Sequence, residues 1–220
     1  MNIDFTLTLP YLPFLLQGIE VTLKIAAVGA IFGTLLGLIL SLITSKKNVL
    51  AKITSFFIDF FRGTPLLFQL VFFHYGISSI IDGFVPAALT SAFVVFSLNS
   101  AAYLSEVLRA GINSIPKGQI EAATSLGVSK KDIALFIIIP IALRNVLPAI
   151  INEFITLTKE TSVASFIGVS ELLRRQAIIS GTTFRVIEPM LIVGVIYYTL
   201  NKLLSLGGKY LERKLSYDQS

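Results

Sequence analysis

Five stretches of this chain run close to or beyond twenty residues with almost no charge, and that pattern limits what it can fold into. A bilayer core of about 30 Å is crossed by roughly 20 residues of helix, which satisfies every backbone polar group internally. The stretches extend from about Phe14 to Thr44, Ile53 to Ile81, Pro86 to Ile112, Ile133 to Leu157 and Phe184 to Leu206. The expected fold class is an all-α integral membrane protein with five transmembrane helices. Composition agrees: 54% of the 220 residues are hydrophobic and 14% charged, more apolar mass than one soluble core of this size hides. The first stretch lacks a basic start and a small-residue cleavage site and is too long for a signal peptide, so it is expected to stay in the mature protein.

With no cysteine and one histidine, a disulfide framework, a thiolate metal site and an imidazole cluster are excluded, so no metal and no cofactor are expected in this chain. The net charge of +5 is read as Lys and Arg at span ends facing cytoplasm and anionic lipid, not as a nucleic-acid surface. Lys46, Lys47 and Lys52 follow the first span. Lys117, Lys130 and Lys131 follow the third, and Lys209, Arg213 and Lys214 the fifth. Five crossings put all of these on one side, so the N-terminus is expected outside and the C-terminus in the cytoplasm. The opposite side receives the loop around Asp82 and Gly83 and the segment from Thr161 to Gly181. Gly29, Gly33 and Gly37, spaced four apart, either admit another helix closely or form a generic packing face.

The loop between the third and fourth spans is the most patterned. Gln119 to Leu126 is expected to form a short helix, Gly127 to end it in a left-handed cap, and Ser129 with Asp132 to form a capping box opening the next helix. Three residues separate Glu121-Ala122-Ala123 from Gly127, nine more precede Ile137, and Ile139-Pro140 follows. This spacing resembles the EAA loop of ABC importer permeases, with Ile139 where the family pattern has Leu. Arg62-Gly63-Thr64-Pro65-Leu66-Leu67 with Gln69, then Ala102-Tyr103 with Glu106 and Arg109, then Asn152 with Lys159, Thr161 and Ser162, resemble the polar amino acid branch. Glu160 stands where that branch often has Asp.

The resemblance covers roughly residues 17–208, read as one permease domain with the type I ABC importer fold and with residues 113–132 as the cytoplasmic coupling loop. It implies a non-enzymatic subunit of the bacterial cell membrane. It also implies an ABC ATPase in two copies carrying ATP and Mg, a second permease subunit taken as a homodimer partner, an extracytoplasmic substrate-binding protein and an amino acid substrate. Glu121, Ala122, Ala123 and Gly127 then contact the ATPase. The chain has no phosphate-loop sequence of its own.

Charge inside a bilayer costs at least about 2.5–3.5 kcal/mol per group, so each buried charge in a span is a candidate site. Glu153, Thr156 and Glu160 share a helical stripe, with Asn152 and Lys159 on the neighbouring one. Lys159 with Glu160 offers both charges a free amino acid needs, and Glu153, about 10 Å along the helix, suits a long cationic side chain: arginine, lysine or histidine. In the resembled family, glutamine-type members often have Gln at the position of Glu153. The alternative pairs Glu153 internally with Arg144, Lys159 or the third span, for packing only.

Asn99, Ser100, Tyr103 and Gln69 are supplementary candidates. Pro148 is expected to kink the fourth span. His74 is read as a satisfied interfacial residue, Arg62 as a cytoplasmic-end anchor, Glu106 with Arg109 as an intrahelical pair, and Arg174 with Arg175 as a solvated pair. A secondary transporter would show inverted repeats and broken helix pairs, and the two halves of this chain lack self-similarity. A membrane enzyme would need a nucleophile with its base, or a metal site, and one histidine without cysteine leaves few ways to build either.

Overall fold

In the computed structural model, which describes residues 3–81 and 84–217 with side chains to residue 214, helix follows helix from end to end. We label them α1 Leu12–Thr44, α2 Val49–Gly63, α3 Leu66–Ile80, α4 Ala88–Asn113, α5 Lys117–Ser125, α6 Lys130–Ile167, α7 Leu172–Thr183 and α8 Ile187–Tyr217. Among the described residues, α1, α4, α6 and α8 are long and apolar enough to cross a membrane alone, and α2 with α3 makes the fifth crossing. The loop expected around Asp82 and Gly83 lies outside the described residues.

The second span corrects the sequence reading. It is not one rod from Ile53 to Ile81: α2 and α3 are bent by 108° at Thr64 and Pro65. Proline disfavours helix in the residue before it and cannot donate its own amide, so the chain is extended at Thr64 before restarting. Broken helix pairs were expected of a secondary transporter, yet among the described residues there is one such break. Residue patterning still holds on α2, which buries Ala51, Thr54 and Ile58 and exposes Val49, Leu50, Ile53, Phe56 and Phe60.

The glycine run settles its two readings in favour of close approach. A methyl group at Gly29 would lie 3.3 Å from Phe96, one at Gly33 2.6 Å from Ser100 Oγ, and one at Gly37 3.0 Å from the Ala101 carbonyl. Contacts that advance together along both chains make α1 and α4 parallel, nearly backbone to backbone. α6 runs against them, since Leu157 meets Gly29 while Val146 meets Gly111. α8 in turn opposes α6, Gly208 lying against Ile151. The basic loops after α1 and α4 and the basic end of α8 therefore share one end of the bundle, as the count of crossings requires.

α6 opens with a π-turn at Ala134–Ile138, immediately before Pro140, and closes with a 3-10 turn at Thr161–Ile167. Pro140 has no N–H to give the preceding turn, and the wider turn accommodates that loss. The helix then continues through Pro148 without a break in its helical run. At the far end, the fully buried Glu171 carboxylate caps α7 by accepting the Leu173 and Arg174 amides at 2.8 and 2.7 Å and the Tyr197 hydroxyl at 2.8 Å. Burial pushes its pKa above the ordinary carboxylate range, against the downward pull of those three donors.

Burial is uneven: 61% of the most apolar window of α4 is buried, against 17% for α6 and 6% for α8. Lipid or another chain must cover the latter two. Gly33→Leu should force α1 and α4 apart and cost about 1–3 kcal/mol. Gly194→Ala, where an added methyl meets nothing within 4 Å, should leave stability unchanged or slightly raised. Thermal unfolding of the detergent-purified protein distinguishes the two.

Candidate functional site

The bend between α2 and α3 exposes helix-end carbonyls inside the apolar slab, where each must find a donor. Gln69 supplies it. Its Nε2 donates to the Phe61 carbonyl at 2.8 Å, the Thr64 carbonyl at 3.0 Å and Thr64 Oγ1 at 2.9 Å. Asn99 of α4 donates from Nδ2 to Gln69 Oε1 at 2.9 Å. Both amides are 5% exposed, so this pair clamps the bend to α4 and its donors are committed to that task.

One helical step away on α4, the buried Ser100 faces Gly33 on one side and the Glu153 carboxylate of α6 on another. Its hydroxyl is fully buried and makes no well-formed hydrogen bond in this arrangement. Glu153, Thr156 and Glu160 are half-buried on one stripe, with Asn152 and Lys159 exposed beside them. Glu160 lies within electrostatic reach of both Lys159 and Glu153. No ion pair joins Glu153 to Arg144 or Lys159 among the described residues. Tyr103, 43% exposed, carries the Arg62 guanidinium 5.7 Å above its ring.

Arg62, read from sequence as a cytoplasmic-end anchor, stacks on Tyr103 of α4 in the structure. The contact falls ten residues before the end of α4. The run Gly63-Thr64-Pro65 is the local signal for the bend, though by itself it fits a helix start as well as a restart. His74 is 8% exposed and satisfied by Ser91 Oγ at 2.9 Å, and Glu106 pairs with Arg109 within α4. Arg175 is half-buried and engaged: it donates to the Phe14 carbonyl and Gln17 Oε1 at 3.0 Å each and covers the Phe14 ring.

At the basic end, α5 begins at Lys117 after Pro116 and presents Glu121 and Ala122 to solvent while burying Ala123. Gly127 takes a φ of +78°. Val128 N–H donates to the Ala123 carbonyl and Gly127 N–H to that of Thr124, a Schellman closure that glycine adopts without strain. Ser129 then accepts from the Asp132 amide and donates to its carboxylate. The helix, turn and capped restart expected from sequence are all present.

Comparison with known proteins places this geometry. The family described as binding-protein-dependent transport system inner membrane component matches residues 33–217. The arginine transport system permease protein ArtQ of Bacillus subtilis is 45% identical over 98% of each chain. A putative glutamine transport system permease protein, GlnP, of Rickettsia conorii is 40% identical over 94% of each. A crystal structure of an amino acid ABC transporter with histidines superposes with a TM-score of 0.91 at 35% identity, covering 97% of this chain and all of the other. An inward-facing MetNI methionine ABC transporter, at 22% identity and a TM-score of 0.76 over 94% of this chain and 98% of the other, shares the fold.

Gln69→Leu should strand the Thr64 carbonyl, leave the Phe61 carbonyl only the Asn99 amide at 3.4 Å, and cost about 1–3 kcal/mol. Adding Asn99→Ala should cost little more, because both changes remove one clamp. A double-mutant cycle on thermal stability reads the shared term.

Proposed function

Because the chain belongs to the family of binding-protein-dependent transport system inner membrane components, and is the permease component of an amino acid ABC importer, we propose that the polar face of α6 passes basic amino acids, namely arginine, lysine or histidine, across the bilayer. The observation that carries this reading is Glu153: a carboxylate inside a span, facing Ser100, with no described cation in ion-pair contact. An ionised group there needs a counter-charge, and a cationic substrate side chain supplies one. Asn152, Thr156, Lys159 and Glu160 line the same face toward its outer end. The arginine-transport relative supports this choice.

The glutamine-transport relatives favour a second reading, in which the substrate is glutamine or glutamate and Glu153 serves packing.

One copy leaves α6 mostly uncovered, so the pathway is assigned to two identical permease chains facing one another. Two copies of a separate ATPase, with ATP and Mg, drive it from the basic end, which is the cytoplasmic end by the excess of lysines. An extracytoplasmic binding protein delivers substrate at the other. Force enters through α5. A short capped helix bonded to the start of α6 moves as a rigid lever, with Glu121 and Ala122 on its surface, Ala123 packed beneath them and Gly127 as its stop.

Proteoliposomes holding the permease, its ATPase and its receptor should take up arginine, lysine or histidine in preference to glutamine, and Glu153→Gln should cut that uptake at least about tenfold. Preference of the original protein for glutamine would sink the cationic assignment. Glu121→Arg combined with Gly127→Val should abolish ATP-driven uptake while the subunits still copurify; undiminished uptake would refute the lever.

A further inference from the structure

We infer that Arg62 receives the carboxylate of the transported amino acid, opposite Glu153, with the Tyr103 ring forming the floor between them. This rests on the reading that Glu153 takes a cationic side chain and adds the residue that holds the other end of the molecule.

The placement follows from α4. Successive residues on a helix are turned by about 100°, so Tyr103 points between Asn99 and Ser100 and one turn further inward. Asn99 holds the bend from which Arg62 projects, and Ser100 faces Glu153. Tyr103 therefore lies on α4 between the residue that ties down the bend carrying Arg62 and the residue that faces Glu153, about one turn, roughly 5.4 Å, from each along the helix. A basic amino acid presents a carboxylate and a side-chain cation separated by an aliphatic stem, and the row of guanidinium, ring and carboxylate matches that order. Tyr103 offers the stem an apolar surface.

Two electrostatic arguments select Arg62 over Lys159. Lys159 is offset by its neighbour Glu160, whereas Arg62 has no described carboxylate within ion-pair distance. Arg62 is exposed on the described chain and lies over the Tyr103 ring, so its guanidinium is open to a ligand. Guanidinium also binds a carboxylate through two parallel N–H donors, which an ammonium cannot do.

The test uses the permease–ATPase complex in nanodiscs without receptor, binding radiolabelled arginine in competition with agmatine, which is arginine without its carboxylate. The original protein should prefer arginine roughly ten- to hundredfold. Arg62→Gln should erase that preference while keeping the affinity for agmatine, which doubles as the control for folding, and Arg62→Lys should fall between. Retention of the preference in Arg62→Gln, or loss of both ligands, would overturn the assignment. If the original protein instead prefers glutamine to arginine, the Glu153 reading fails, and Arg62 is scored by the same comparison on glutamine and 4-aminobutanamide.

Discussion

A peptide group left unpaired in hydrocarbon costs several kcal/mol, and the break at Thr64 and Pro65 creates several such groups within the slab. The Gln69–Asn99 clamp makes the break tolerable: one side-chain amide takes the freed carbonyls of α2 and a second ties it to α4. Without it, the freed carbonyls would lose their donor, and the bend that carries Arg62 to Tyr103 would lose its tie to α4. The polar site thus depends on a structural amide pair that need not touch substrate at all.

The bundle divides into a tight half and an open half. Glycines at every fourth position bring α1 against α4, and α4 is the most buried span. α6 and α8 pack on this core with most of their surface uncovered, and α6 carries the charged stripe. It is also joined through the Ser129 cap and the Gly127 turn to α5. A displacement of α5 would thus pass to the span that holds the polar face, while the α1–α4 pair resists deformation.

Much of this was legible in the sequence because span length, glycine spacing and capping residues act locally. The short helix and its restart were read from Gly127, Ser129 and Asp132, whose conformational preferences need no tertiary context. The bend was not legible as a bend. Pro65 allows either the first turn of a helix or a restart after a break, and the choice is made by Asn99, thirty residues away in sequence from Gln69. The contact of Arg62 with Tyr103 was hidden for the same reason, since it follows from the bend. Glu171 was missed because its partners, Tyr197 and the α7 amides, meet only after α7 folds against α8.

The chain contains no cysteine, so single cysteines placed along α6 report its surroundings directly. The decisive measurement is the rate at which a small, membrane-impermeant cationic thiol reagent modifies cysteines at positions 153 and 156, compared with 151 and 155, in the assembled transporter with and without arginine. The account predicts rapid labelling at 153 and 156, slowed severalfold at 156, where the Glu153 carboxylate is retained, by arginine but not by glutamine, and little labelling at 151 and 155. Equal, arginine-insensitive labelling at all four positions, or none at 153 and 156, would contradict a substrate path along this face.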